Sequence, residues 1–136
     1  MNKYYHTIGR RKSSIARIYI KENKHLNGQN NIKINNKTIT KYFISNKYLK
    51  NRIYLPLLIT NNLNKNLDIN IKVRGGGYKG QLESIILGIS RALCIINKDN
   101  LNILKKNKLL TRDSRKVERK KFGRKKSRKK FQFSKR

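Results

Sequence analysis

A strand-like run, Leu67–Val73, leads into Gly75-Gly76-Gly77-Tyr78-Lys79-Gly80, and a helical pattern follows. The spacing satisfies G-x-G-x-x-G, where bare backbone approaches a phosphate and a helix N-terminus faces it. A dinucleotide site needs more than this. After the helix, a second parallel strand should end in an acidic residue. Asp99 stands at a suitable distance, but the residues on both sides of it have helical patterns. A P-loop would need Gly-Lys-Ser/Thr, which the run lacks. Two readings stay open. The glycines make a tight strand-to-helix turn at positive φ, which predicts that Gly77→Val is poorly tolerated. Alternatively, turn and helix N-terminus together offer N–H groups to an RNA phosphate.

A second candidate is Gly9-Arg10-Arg11-Lys12-Ser13-Ser14, read as a basic turn before the first strand. In a chain this basic, a phosphate contact is favoured over a merely solvated turn. Catalytic chemistry finds little support. His6 and His25 have no partner pattern, and Cys94 is the only cysteine, so neither a disulfide nor a Cys/His metal site is expected. The six carboxylates are scattered and form no suggestive pair. The chain is therefore expected not to be an enzyme and to need no cofactor.

The strongest signal is the run from Asn107 to Arg136. Fifteen of its thirty residues are Lys or Arg, opposed only by Asp113 and Glu118. Too little apolar surface is present to offset the ordering entropy, so the free tail is expected to be disordered. A dense array of phosphates would order it. Val117 and Lys121 are one turn apart, as are Glu118 and Lys121, so a short helix over 114–121 is conceivable on binding. Phe122, Phe131 and Phe133 interrupt the cations and could stack on bases or pack against protein.

These residues need a scaffold. Ser14–Lys21 alternates Ala16, Ile18 and Ile20 with Ile15, Arg17 and Tyr19, the period of a strand. Asn31–Asn35 places Ile32 and Ile34 on one face. Two short helical pieces are read between Thr38 and Ile53, and Pro56 is expected to end anything helical there. Leu67, Ile69, Ile71 and Val73 share one strand face. The best helix spans about Lys79 to Asn97, with Leu82, Ile85, Ile86, Ile89, Leu93 and Ile96 in one stripe and Ser84 and Arg91 roughly opposite. Gly88, on the flank of that stripe, permits close approach to a sheet. A last helical piece, Asp99–Lys106, has Asp99 as its expected cap. Strands followed by helices on one side read as α+β.

The chain's 136 residues carry a formal charge of +30, and 17 of these charges lie before the tail. Self-repulsion on that scale destabilises the free protein, and a bound polyanion relieves it. A membrane is not the expected partner, because runs such as Ile85–Ile89 are far too short to span one. No cleavable leader is expected, and a single cysteine fits a reducing compartment. Lys, Asn and Ile number 24, 18 and 18. Their codons are A/T-rich, so part of the Lys count reflects the genome. A non-specific nucleic-acid coat and a nucleotide-dependent enzyme built on Gly75–Gly80 are the competing readings.

Taken together, several motifs resemble the ninth small-subunit ribosomal protein family. They are Gly9–Ser14 with Ala16-Arg17, Gly75-Gly76-Gly77 with Gly80-Gln81, Ile89-Ser90-Arg91-Ala92-Leu93, and Leu110-Thr111-Arg112-Asp113-x-Arg115 with Val117-Glu118-Arg119-Lys120-Lys121. The ending Gln132-Phe133-Ser134-Lys135-Arg136 is similar to that family's C-terminus, and the match runs from about Thr7 to Arg136. The resemblance implies an α+β domain like the second domain of ribosomal protein five, over 1–106, with a basic extension over 107–136. It implies a place in the small-subunit head, on the 3′ major domain of the rRNA, beside neighbouring head-domain proteins. The residues expected at rRNA are Arg10, Arg11, Lys12 and Arg17, then Arg74, Gly75, Gly76, Gly77 and Lys79. In the tail they are Arg112, Arg115, Lys116, Arg119, Lys120, Lys121, Arg124, Lys125, Lys126, Arg128, Lys129 and Lys130. Ser134, Lys135 and Arg136 would lie near the anticodon stem-loop of peptidyl-site tRNA. The expected setting is the cytoplasmic ribosome of a bacterium with an A/T-rich genome, with an organelle-encoded ribosome as the alternative.

Overall fold

The computed structural model of the chain describes residues 4–23, 29–44, 47–63 and 65–135. Among the described residues, five strands form one sheet in the order β1-β2-β5-β3-β4. They are β1 Tyr4–Arg11, β2 Ser14–Glu22, β3 Asn31–Ile34, β4 Lys37–Thr38 and β5 Leu67–Arg74. The β1/β2, β2/β5 and β3/β4 pairs are antiparallel, whereas β3 runs parallel to β5. The mixed α+β class expected from the pattern is the one observed.

Period-two patterning sets the buried face of the sheet. Ala16, Ile18 and Ile20 of β2, Leu67, Ile69, Ile71 and Val73 of β5, and Ile32 and Ile34 of β3 are all buried. The long helix α4, Tyr78–Ile96, covers this face and buries Leu82, Ile85, Ile86, Ile89 and Leu93 against it. Three short helices, α1 Ile39–Tyr42, α2 Lys47–Ile53 and α3 Leu55–Ile59, and the later α5, Asn100–Lys106, complete the helical layer. Burying that many branched side chains is the main stabilising term.

Several expectations change. β1 replaces the expected basic turn, so only Lys12 and Ser13 turn between strands, and Arg10 and Arg11 end a strand. Ser84 is not opposite the core but fully buried. Pro56 does not stop helix. It sits in the first turn of α3, where no intrahelical N–H is required of it. Asp99 makes no side-chain cap to α5; instead, the Asn97 carboxamide oxygen accepts from the Asp99 N–H at 3.0 Å.

β1 and the Ser84 face of α4 approach unusually closely. A Cβ added at Gly9 would lie 1.8 Å from the Ser84 carbonyl oxygen, and one at Gly88 would lie 2.5 Å from Ile18 Cγ1. The Thr7 hydroxyl donates to the Gly88 carbonyl at 2.8 Å, and the Arg91 guanidinium donates to the Ile8 carbonyl at 2.7 Å. Asparagines finish the sheet's ends. The Asn35 carboxamide accepts from Val73 N–H at 2.9 Å and donates to Val73 C=O at 3.1 Å, standing in for a strand neighbour.

Candidate nucleic-acid interface

The fold brings the two glycine-containing motifs together at one end of the sheet. Arg74 pairs with Ile15 across β5 and β2, so the Gly75–Gly77 turn lies beside the β1–β2 turn. The Ser14 hydroxyl donates to the Gly75 carbonyl at 2.9 Å, and the Gln81 carboxamide reaches the same oxygen at 3.2 Å. Gly75 and Gly76 adopt φ of +73° and +67°. Gly76 is also closed sterically, since a Cβ there would fall 2.0 Å from Ser14 Oγ. Gly77 is different. Its φ is −96°, it caps α4, and an added Cβ meets nothing within 4 Å. The expectation of positive φ therefore holds for two of the three glycines and fails at Gly77.

α4 is followed by α5, not by a parallel strand, so the glycine turn does not sit in the βαβ unit a dinucleotide fingerprint requires. What it offers is a helix N-terminus with no side-chain cap at Gly77, where the backbone dipole favours an anion. Lys79, Arg74 and Lys12 are exposed around it. Alongside runs a groove of about 420 Å³ lined by Lys37, Lys41, Tyr42, Tyr78 and Gln81. Its aromatic wall is Tyr42 and Tyr78, both packed on the buried Phe43, with the three ring centroids 5.0–6.2 Å apart. Burial and the adjacent Tyr78 push the Tyr42 phenol's pKa up, against a 2.8 Å hydrogen bond to Gln81.

Arg11 is placed apart from the other candidates. Its guanidinium meets Glu83 of α4 at 2.5 Å and Asp113 at 2.8 Å, and it donates to the Arg115 carbonyl at 2.8 Å. The carboxylates that looked scattered thus converge, two of the six, on one cation. No spacing rule could reveal this, because the three residues come from β1, α4 and the segment after α5. Asp113 also receives Arg115 through two side-chain nitrogens, the shorter contact being 2.7 Å. The hydrogen bonds from Arg115, side chain first and then backbone, hold the Asp113 carboxyl well below the usual carboxylate range, with Arg11 adding its charge. Leu109 and Leu110 pack against the core just before this network. The root of the basic extension is thereby tied to the body.

Beyond Asp113 the chain changes character. No residue from 111 to 135 is buried, and 111–121 carries no regular secondary structure. Arg112, Arg115, Lys116, Arg119, Lys120, Lys121, Lys125, Lys126, Arg128, Lys129 and Lys130 are exposed, and Arg124 is half-buried. Glu118 closes a loop by pairing with Lys121 at 3.1 Å and Arg128 at 2.9 Å. Phe122 and Phe133 are fully exposed. Lys125 lies 5.7 Å from the centre of the Phe131 ring. Ser134 and Lys135 are exposed, while Arg136 lies outside the described residues.

Comparison with known proteins gives one answer. The family model described as ribosomal protein S9/S16 matches residues 9–136. The chain is 54% identical over 128 residues to the small ribosomal subunit protein uS9 of Borreliella burgdorferi, covering 94% of this chain and 89% of that protein. It is 50% identical over 129 residues to uS9 of Amoebophilus asiaticus, covering 95% of each. It is 47% identical over 131 residues to uS9 of Christiangramia forsetii, covering 96% and 97%. With the matched region taking in both glycine motifs and the basic extension, the chain belongs to the ribosomal protein S9/S16 family.

Proposed function

We propose that this chain, a structural ribosomal protein and not an enzyme, binds the small-subunit rRNA through both its body and its extension. In this reading, the body over 1–106 holds rRNA of the head, in the 3′ major domain, beside other head-domain proteins. Lys12 of the β1–β2 turn, the strand cations Arg10, Arg17 and Arg74, and Lys79 in the first turn of α4 face phosphates, with Gly75, Gly76 and Gly77 supplying bare backbone. Arg11 then acts mainly from within, by fixing the root of the extension. The tail over 107–136 runs through rRNA toward the decoding region, and Ser134, Lys135 and Arg136 meet peptidyl-site tRNA. The setting is a cytoplasmic, bacterial-type ribosome.

One observation carries this reading. The segment 111–135 holds thirteen Lys or Arg against two carboxylates, and none of its residues is buried. Such a segment gains little from the protein it belongs to, and a phosphate backbone neutralises it. Two deletions test the division of labour. Removing Ser134–Arg136 takes away two side-chain cations of 36, too few to change anchoring much. Subunits should still contain the protein, and peptidyl-site tRNA affinity should fall by about 1–3 kcal/mol if two charge-assisted bonds are lost. Removing Arg124–Arg136 should instead lower incorporation of the protein itself. Filter binding of tRNA to reconstituted subunits, beside quantitation of the protein in them, separates the effects. Unchanged tRNA affinity after the short deletion would refute the tRNA contact and leave the tail as rRNA anchorage.

A further inference from the structure

We propose that the face of the sheet turned away from the helices docks an unpaired RNA segment, with a base stacked on the His6–Tyr19 ring pair and phosphates on the cations around it. This rests on the reading that the chain binds RNA, and it extends the contact from Arg10, Arg17 and Arg74 along the sheet to the His6–Tyr19 pair, which belongs to neither glycine motif nor to the tail.

Alternation sends every second residue of each strand to this open face. Among the described residues, the strands place Arg10, Arg17, Lys21, Lys33, Lys72 and Arg74 there, opposed by Asp68. Arg17 and Lys72 are direct cross-strand partners. Like charges in that position destabilise a sheet. Their neighbours in register, Ile8, Ile15, Tyr19, Asn70 and Arg74, include no carboxylate. A solvated sheet face needs only polar residues, and mixed charge would serve it better. An anionic partner offsets this repulsion.

The aromatic residues make that partner a nucleic acid. His6 and Tyr19 face each other across β1 and β2, with ring centroids 4.7 Å apart and planes 24° apart. His6 is exposed, and it lies on β1, an edge strand of the sheet. The Lys72 ammonium lies 5.9 Å from the centre of the Tyr19 ring. Tyr4, 66% exposed, stands two residues from His6 on the same side, with the Lys21 ammonium 6.0 Å from its ring. Rings at hand with ammonium and guanidinium groups suit a splayed-out base flanked by its phosphates. A continuous duplex keeps its bases stacked inside and leaves the rings without a role, so the ligand class is unpaired RNA.

Ultraviolet cross-linking of purified small subunits, followed by mass-spectrometric mapping of nucleotide adducts, tests the placement in the native particle. Adducts are expected on Tyr19, His6 or Tyr4. Subunits that contain the protein but yield adducts only within 107–135 would overturn this docking site and leave the RNA-binding reading intact. Absence of the protein from the subunits would overturn both. A second arm uses the full chain with a short single-stranded oligoadenylate. The double variant His6→Leu/Tyr19→Leu should lose affinity about 5- to 100-fold with an unchanged salt slope. Tyr19→Phe, which keeps the ring, should bind like the parent. Arg17→Ala/Lys72→Ala should instead reduce the salt slope by about 1.4. Melting curves check that each variant is folded. Equal loss in the Phe and Leu variants would overturn the stacking.

Discussion

The crossing of β1 with α4 and the extension after Asp113 use opposite means to hold a chain in place. At the crossing, Thr7, Gly9, Ser84 and Gly88 are all buried, and two backbones nearly touch. From 114 to 135 no residue is buried, and the Phe122 and Phe133 rings stand in solvent. The crossing is closed by the protein's own atoms and needs no partner. The extension has no buried apolar surface of its own, so under the proposed function its geometry is set by the phosphates that bind its charges. Between them sits the Arg11 network, where ion pairs to Glu83 and Asp113 and a hydrogen bond to the Arg115 carbonyl make the tie. The body is closed by its own packing, whereas residues 114–135 bury no side chain against it.

The largest expected effect sets the two regions against each other through salt. With roughly 6–10 phosphates neutralised, affinity for RNA should drop about 10³- to 10⁵-fold between 50 and 200 mM salt. Over the same range the free protein should become more stable, because screening relieves self-repulsion at +30. Binding titrations and thermal melts across that range measure both. A flat affinity would mean that the cations mainly face water, and the comparison would fail.

Next in size are glycine substitutions at the two motifs. Gly9→Val forces a side chain into the Ser84 carbonyl and should cost about 3 kcal/mol or more. Gly76→Val meets both Ser14 Oγ and a positive φ, which costs on the order of 1–3 kcal/mol from the backbone alone. Gly77→Val, with open space and an ordinary φ, should leave stability within about 1 kcal/mol of the parent, so that any larger loss of subunit assembly reports on close approach of a ligand. Denaturant melts of the three variants rank them. A Gly77 variant as unstable as the Gly76 variant would contradict the geometry.

These same residues explain what the sequence could and could not disclose. β2, β5 and α4 announced themselves through large apolar side chains at regular spacing. β1 did not, because its core-facing positions include Thr7 and Gly9, which leave room for the helix and carry no hydrophobic period. Ser84 is buried for the same reason, seen from the helix side, and its polarity hides that from the pattern. A close crossing is built from small residues, and small residues are silent in a hydrophobicity pattern. Pro56 reads as a stop because its cost in a helix interior is large, but the first turn of a helix has no such cost. The tail's charge was plain from composition. The Arg11–Glu83–Asp113 convergence was not, since it depends on three elements meeting in space.

The smallest expected effect falls on that convergence, and it probes the join between the two regions. The Asp113 carboxyl is held below its ordinary value by the Arg115 hydrogen bonds first, then by the Arg11 charge. A depressed folded-state pKa fixes the sign. The tie is at full strength above the unfolded aspartate value, near about 3.9, and is lost as pH falls through the lower folded value. Acidification to about pH 3 should therefore leave Asp113 largely ionised, past the point where an unpartnered aspartate is mostly protonated. Arg115, the main partner, is open to solvent and Asp113 is half-exposed, so the contribution to global stability is small and screened by salt. The informative readout is local: a carboxyl-carbon NMR titration of Asp113. Arg115→Ala should raise its midpoint toward the ordinary value, and Arg11→Ala should raise it by less. An Asp113 that titrates normally in the parent protein would mean that the root of the tail is not tied to the body, and the boundary between the two regions would move back to the end of α5.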